Sequence, residues 1–273
     1  MIPVAFDYKR AGSAEEAIAL LTEYGDEAKL LAGGHSLLPL MKLRLATPSV
    51  LIDVGRLSDL SYIRDGGDHI AIGALTRHRD VETSDLLAAQ QPLLAHSAST
   101  VGDNQVRHRG TIGGSVAHAD PASDLPATLL ALGASFVAKG PGGERTIASA
   151  DFYKGFLESD LAADELLTEI RVPKSPGAGW GYQKFNRRAQ DWAIVGVSVI
   201  RNGSTGVALV NMGSTPVRAA AVEAALAQGA SARDAAELAA DGTEPTSDLN
   251  ASPDYRRHLA KVLVRRALEA AGV

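Results

Sequence analysis

The sequence predicts an α+β protein, and three observations carry that prediction. Two pairs of apolar strands flank glycine-rich turns, Asp-Gly-Gly-Asp at 65–68 and Gly-Pro-Gly-Gly at 140–143, which is the signature of hairpins. The stretch 173–179 (PKSPGAG) holds two prolines and two glycines in seven residues, so neither helix nor strand continues through it. Beyond that boundary three strands precede three helices, the order of a separate α+β unit.

In chain order, 4–6 reads as a short strand. Ser13-Ala14-Glu15-Glu16 is a capping box that opens a helix to about Tyr24, stopped by Gly25. Residues 28–31 form a short apolar strand, 33–34 a turn and 36–43 a helix, with 50–54 as a further strand. Pro39 falls in the first turn of its helix, where a missing N–H is tolerated. The first hairpin pairs 60–64 with 69–73. Helices are expected over 76–82 and 86–101, then a glycine-broken extended segment over 111–118. A helix over 123–132 ends at Gly133. The second hairpin pairs 135–139 with 145–148, and 166–172 alternates as a strand. After the boundary, 180–187, 193–201 and 205–212 read as strands and 217–227, 232–240 and 253–271 as helices. The last helix has Ser252 as N-cap and Pro253 as its first residue.

Composition narrows the function classes. At 273 residues, 45% apolar and 22% charged, the chain is ordinary for a globular protein. A net charge of −5 argues against a broad nucleic-acid surface. The absence of cysteine excludes disulfides, thiolate zinc sites, a cysteine nucleophile and a cysteine-ligated iron–sulfur cluster within this chain. No apolar run approaches the ~18 residues of a membrane span. Residues 1–21 carry Asp7, Glu15 and Glu16 and no signal-peptide core, so a cytoplasmic location is expected. The seven histidines, at 35, 69, 78, 96, 108, 118 and 258, show no metal-ligand spacing. His118-x-Asp120 could touch a metal, but scattered surface or core histidines are by far the commoner case, so no metal site and no catalytic residue is assigned. Arg257, Lys261 and Arg265 recur every four residues on the last helix, as a solvated face or a docking stripe.

Glycine is raised, at 27 residues, against about 7% in average usage. Two glycine pairs stand out. Ala32-Gly33-Gly34-His35-Ser36 follows a strand and opens a helix. A turn without Cβ atoms lets backbone N–H groups approach an anion, and the following helix start adds its own unpaired donors. Taken alone, the turn is more often an ordinary tight turn with Ser36 as N-cap. Thr111-Ile112-Gly113-Gly114-Ser115 repeats the pattern just after Arg107 and Arg109. Two such turns suit the two phosphoryl groups of a diphosphate. Neither is a P-loop or a Gly-x-Gly-x-x-Gly fingerprint. In the following Asp120–Pro126 stretch, Asp124 reads either as a helix-start residue or as a partner for a ligand hydroxyl.

These residues carry a family resemblance that spans nearly the whole chain. The run 32–44 (AGGHSLLPLMKLR) resembles the first FAD motif of the medium, flavoprotein subunits of bacterial molybdenum hydroxylases, whose type member is the carbon monoxide dehydrogenase medium subunit. Thr111–Ser115 with 120–126 resembles the second motif, and 184–193 (KFNRRAQDWA) is also family-like. The flavin domain of xanthine dehydrogenase is a more distant likeness. His108 departs from the asparagine expected before Arg-Gly-Thr.

The resemblance implies a flavoprotein fold of the vanillyl-alcohol-oxidase (PCMH) type. It places two α+β subdomains at about 1–55 and 56–175, and a C-terminal three-stranded antiparallel sheet with helices over 176–273. It implies FAD as cofactor, held by Ala32, Gly33, Gly34, His35 and Ser36 and by Thr111, Ile112, Gly113, Gly114 and Ser115. Asp124 would take an FAD hydroxyl, Leu167 and Lys184 would lie near the flavin ring, and Trp192 against it. The implied partners are a large subunit with molybdenum-pterin dinucleotide and a small subunit with two [2Fe–2S] clusters, assembled as a dimer of heterotrimers. The lack of cysteine agrees with clusters in a partner and argues against the 4-hydroxybenzoyl-CoA reductase branch, whose flavin subunit carries its own cluster. The expected function is therefore an oxidoreductase subunit that passes electrons from those clusters to an external acceptor. The alternative is a free-standing FAD-dependent oxidoreductase of the same fold.

Overall fold

The computed structural model describes residues 2–273; Met1, the first residue of the segment read for a leader, lies outside them. The chain builds three main sheets. The first holds β1 (Asp7–Arg10), β2 (Ala28–Leu31) and β3 (Val50–Asp53), all parallel, in the order β1-β3-β2. Val50, Leu51 and Ile52 of the central strand are all buried, as a strand covered on both faces requires. The helix Ala14–Tyr24 makes the crossover and buries Ala14, Ala17, Ile18 and Leu21 on the sheet. Its Ser13 cap accepts from the Glu16 amide, while Glu16 accepts from the Gly12 amide, closing the predicted box one residue early.

The first strand is displaced from the predicted 4–6. Val4 remains 47% exposed, and pairing begins where the Asp7 amide donates to the Ser49 carbonyl. The ladder is set by β3, and β1 is an edge strand of wholly exposed residues, so its pattern (DYKR) carries no apolar signal.

The second sheet is antiparallel. Its strands are β4 (Ile63–Asp65), β5 (His69–Gly73), β6 (Ser135–Gly140) and β7 (Gly143–Ala148), with β10 (Leu166–Pro173) at the centre, in the order β4-β5-β10-β6-β7. A small hairpin of β8 (Tyr153–Gly155) and β9 (Glu158–Ser159) precedes β10. A bulge shifts the β10–β6 register between Leu167 and Glu169. Both predicted hairpins form. Ile70, Ile72, Phe136, Ile170 and Val172 pack with Leu87, Leu93, Leu94, Leu125 and Leu129 of the covering helices in one core.

Two local predictions fail for identifiable reasons. The helix expected over 86–101 is two helices, Asp85–Gln90 and Pro92–Ser99. Pro92 supplies no N–H and pushes Gln91 out of the helical region, to φ −154°. The segment expected to be extended over 111–118 is the helix Ile112–His118. Its two glycines cost about 1 kcal/mol each in helix propensity, but tertiary packing overrides this: a Cβ on Gly113 would lie 2.5 Å from Ala74 Cβ. Asn104–Arg109 is a further helix, capped by Asp103 and absent from the sequence reading.

The C-terminal sheet contains β11 (Gly179–Phe185), β12 (Val195–Asn202) and β13 (Ser204–Val210), antiparallel as predicted. A two-residue edge strand, β14 (Val217–Arg218), takes the start of the expected 217–227 helix, which begins instead at Ala220. Val195, Val197 and Val199 face the helix Pro253–Ala270, burying Leu259, Leu263, Val264 and Ala267. The alternate residues, period two on a strand, face the helix Asp124–Ala131, whose Ala127, Leu130 and Ala131 meet Ala208 and Val210. No helix among the described residues is long and apolar enough to cross a membrane.

Candidate FAD-binding cleft

A cleft of about 650 Å³ opens where the three sheets meet, within the usual range for small-molecule sites. Its walls come from the end of β2, from the start of the helix Ile112–His118, from β10 and from β11. Thirteen of the fourteen residues singled out in the sequence line it. The exception is Ile112, whose side chain is fully buried in the second sheet's core and whose amide donates to the Thr76 carbonyl.

The two glycine turns converge because the first packs on the segment leading into the second. A Cβ on Gly33 would run into the Arg109 carbonyl oxygen and Gly110 Cα. Arg77 donates to that same carbonyl and steadies the segment. Gly34 sits at φ 80°, a conformation costly for other residues.

The turns offer different chemistry. Among the described residues, the backbone N–H groups of 33–37 have no partner within the chain. The Ser36 hydroxyl makes no capping bond. Five consecutive free donors, at the wall of a cleft, favour an anionic ligand. At the second turn the N–H groups of 112–115 are consumed internally. Ile112 donates to Thr76, Gly113 to the Ala74 carbonyl, Gly114 to the Thr111 hydroxyl and Ser115 to the Thr111 carbonyl. The two turns, alike in sequence and both expected to form a backbone cradle, therefore differ: the second supplies close packing and the Ser115 side chain instead.

Asp124 is a helix-start residue and a member of the cleft wall at once. Alternation along β11 puts Tyr182 and Lys184 on the face toward it, because they pair with Ser198 and Gly196 on β12. Tyr182 donates to Asp124 Oδ1 at 2.8 Å and Lys184 Nζ to Oδ2 at 2.7 Å. Lys184 also donates to the Thr100 carbonyl at 3.0 Å. Asp124 is only 5% exposed, and burial raises its carboxyl above the usual range, against the pull of Lys184 and Tyr182. Burial and the adjacent carboxylate raise the Tyr182 phenol well above its ordinary value. Thr128 extends the polar seam, with Ser97 and Ser198 hydroxyls each 2.8 Å away.

Leu167, buried beside the β10 bulge, gives the cleft an apolar side with Leu161 and Leu166. Trp192 stands at the rim, 57% exposed. Sequence reasoning missed Tyr182 and His78. Tyr182 was recoverable, lying two residues before Lys184 on a predicted strand, whereas His78 reaches Ser115 across 37 positions and left no local signal.

The donor set fits FAD. Free N–H groups suit the diphosphate, the buried carboxylate suits sugar or ribityl hydroxyls, and the leucine side suits a flat apolar ring.

Comparison with known proteins agrees. Residues 4–175 match the FAD-binding domain of molybdopterin dehydrogenases, and 180–271 the CO dehydrogenase flavoprotein C-terminal domain. The chain is 43% identical to the carbon monoxide dehydrogenase medium chain of Hydrogenophaga pseudoflava over 99% of its own length and 98% of that chain. It is 38% identical to a 6-hydroxypseudooxynicotine dehydrogenase complex subunit of Paenarthrobacter nicotinovorans, covering 99% and 96%. A solved structure of carbon monoxide dehydrogenase from Hydrogenophaga pseudoflava superposes with a TM-score of 0.96 at 44% identity, covering 100% of this chain and 99% of that one. The sequence motifs, the cleft and both domain matches lead to one conclusion: the chain belongs to the FAD-binding medium subunits of the CO dehydrogenase-type molybdenum hydroxylases.

Proposed function

We propose that this chain is the electron-exit subunit of a heteromeric molybdenum dehydrogenase. Substrate is oxidised in a large molybdenum-pterin subunit, electrons cross the [2Fe–2S] clusters of a small subunit, and they leave for an external acceptor through the flavin held here. The complex is a cytoplasmic dimer of heterotrimers. The observation that carries this reading is the run of five unpartnered N–H groups on residues 33–37, which line a cleft that also holds a buried carboxylate.

Bound FAD supplies redox chemistry that couples hydride to electron transfer. The chain's own residues bind and orient it. Ala32, Gly33, Gly34, His35 and Ser36 hold the diphosphate, with Ser115 opposite and with Thr111, Ile112, Gly113 and Gly114 setting the distance between the turns. Asp124, ion-paired with Lys184, accepts from a cofactor hydroxyl, while Leu167 and Trp192 line the ring's side of the cleft. Residues 1–175, with subdomains of about 1–55 and 56–175, form the FAD-binding domain and 176–273 the C-terminal domain, a division that the three separate sheets support, while Ala127, Leu130 and Ala131 pack across the 175/176 boundary on Ala193, Ala208 and Val210. No residue of this chain oxidises substrate.

The test is reconstitution of the purified full chain with FAD, followed by visible absorbance and titration. Equimolar, non-covalent flavin is expected, and no binding would overturn the reading. A pull-down from the native host should bring down molybdenum and iron–sulfur subunits; recovery of the chain alone, active on its own substrate, would replace it with a free-standing flavoenzyme.

A further inference from the structure

His78 lies beneath the second glycine turn. It is 3% exposed, and its backbone amide donates to the Gly110 carbonyl at 3.0 Å. Gly110 makes room for the ring, since a Cβ there would lie 2.7 Å from His78 Cδ2. One ring nitrogen, Nε2, is 3.2 Å from Ser115 Oγ. The other, Nδ1, is buried with no hydrogen-bond partner among the described residues. Both His78 and Ser115 line the cleft.

That asymmetry favours one position for the proton. A neutral imidazole carries one N–H and one bare acceptor nitrogen. Orphaned buried N–H groups are rarer than under-satisfied acceptors. The arrangement with the lower cost therefore leaves Nδ1 bare and places the proton on Nε2, between the ring and Ser115. Ser115 Oγ then accepts from the imidazole, and its own proton has to be donated elsewhere.

We propose that His78 is a positioning residue for the cofactor site: as the Nε2–H tautomer it donates to Ser115 Oγ and turns the Ser115 hydroxyl into an outward donor, aimed at an anionic oxygen in the cleft. The opposite tautomer would draw the Ser115 proton into the ring and present a lone pair to that anion. This rests on the reading of the cleft as the FAD site. It gives the second turn, whose amides at 112–115 are engaged, a side-chain donor of its own. The environment holds the ring neutral, with burial as the main cause and His35, Arg107 and Arg77 as the neighbouring groups that oppose a positive charge.

The tautomer can be read directly. In the full chain labelled with ¹⁵N-histidine, two-bond ¹H–¹⁵N correlation at neutral pH should show His78 Nδ1 unprotonated and Nε2 protonated, the signal being assigned by its loss in His78→Gln. A protonated Nδ1, or an imidazolium, overturns the proposal whether or not the chain binds flavin. Titration with FAD supplies the second arm. Ser115→Ala should weaken binding about tenfold and His78→Leu by up to as much, and the double variant no more than Ser115→Ala alone, because the imidazole acts on the cofactor only through the Ser115 hydroxyl. His78→Gln, which keeps an N–H near the Nε2 position, should stay within about threefold of the native affinity. Additive losses, or a glutamine variant as weak as leucine, overturn the proposal. If native chain fails to bind FAD, the functional reading falls, while the resonance measurement still decides the tautomer.

Discussion

Replacing Lys184 with methionine removes one charge from a buried pair and keeps the length of the side chain. Asp124 would then sit 5% exposed with only Tyr182 as donor. Breaking a buried pair by deleting one partner costs about 3–5 kcal/mol, because the remaining charge has lost water and gained nothing. Tyr182 still donates, so the lower end is expected. The pH dependence has an unusual sign. A carboxyl whose folded pKa is raised contributes stability that is complete below its unfolded value and lost as pH rises through the folded one. Asp124 is already raised by burial, and losing Lys184 raises it further. On acidification from neutral pH the Lys184→Met deficit should therefore shrink, by up to about 1.4 kcal/mol per pH unit. Urea unfolding of native and variant full chains, at several pH values between neutrality and pH ~5, measures this difference. Lys184→Met/Asp124→Asn should recover most of the loss, and Lys261→Met, at an exposed pair with Glu237, should change stability by at most about 0.5 kcal/mol. A cost under about 1 kcal/mol for Lys184→Met, or a deficit that grows on acidification, would refute the account of the pair.

Two further outcomes follow from packing and burial. Gly33→Ala and Gly113→Ala place a Cβ against backbone and should each lower stability by about 1–3 kcal/mol, with Gly33→Ala also abolishing FAD binding, while Gly142→Ala, which meets nothing within 4 Å, should be neutral in the same thermal melts. Burial depresses His78 from 6.5 to about 4, so the unfolded chain binds its proton first. About 3 kcal/mol of stability present above pH 6.5 is lost as pH falls toward 4, and His78→Gln should flatten that acid limb of the denaturation profile.

Where neighbours in sequence determine a structure, the sequence was readable. The Ser13 and Ser252 caps, both hairpins and the helix over 123–132 depend on contacts within a few residues. The failures share a different cause. Gly113 and Gly114 deny helix by propensity, and only Ala74, 39 positions before Gly113, explains why a helix forms there. The register of β1 is decided by β3, more than forty positions away in the pairing of Lys9 with Ile52. At the site, the glycine turns, Asp124 and Lys184 were visible as residues, but their division of labour was not. Nothing local reveals that the amides at 112–115 are spent while those at 33–37 are free.

The hydroxyls of Ser97, Thr128 and Ser198, with Tyr182 and Thr100, form a polar seam between the helices of the second sheet and the face of the C-terminal sheet. Apolar surfaces of similar shape can slide over one another at little cost, because dispersion has no direction. Hydrogen bonds do have direction, and a slip of one residue along β11 would turn Tyr182 and Lys184 to the opposite face and leave Asp124 without either of its donors. The seam therefore acts as a locating pin. It holds the ammonium of Lys184 over Asp124 to within the tolerance of a hydrogen bond, so the alignment of a cleft assembled from three sheets is enforced by a handful of small polar side chains.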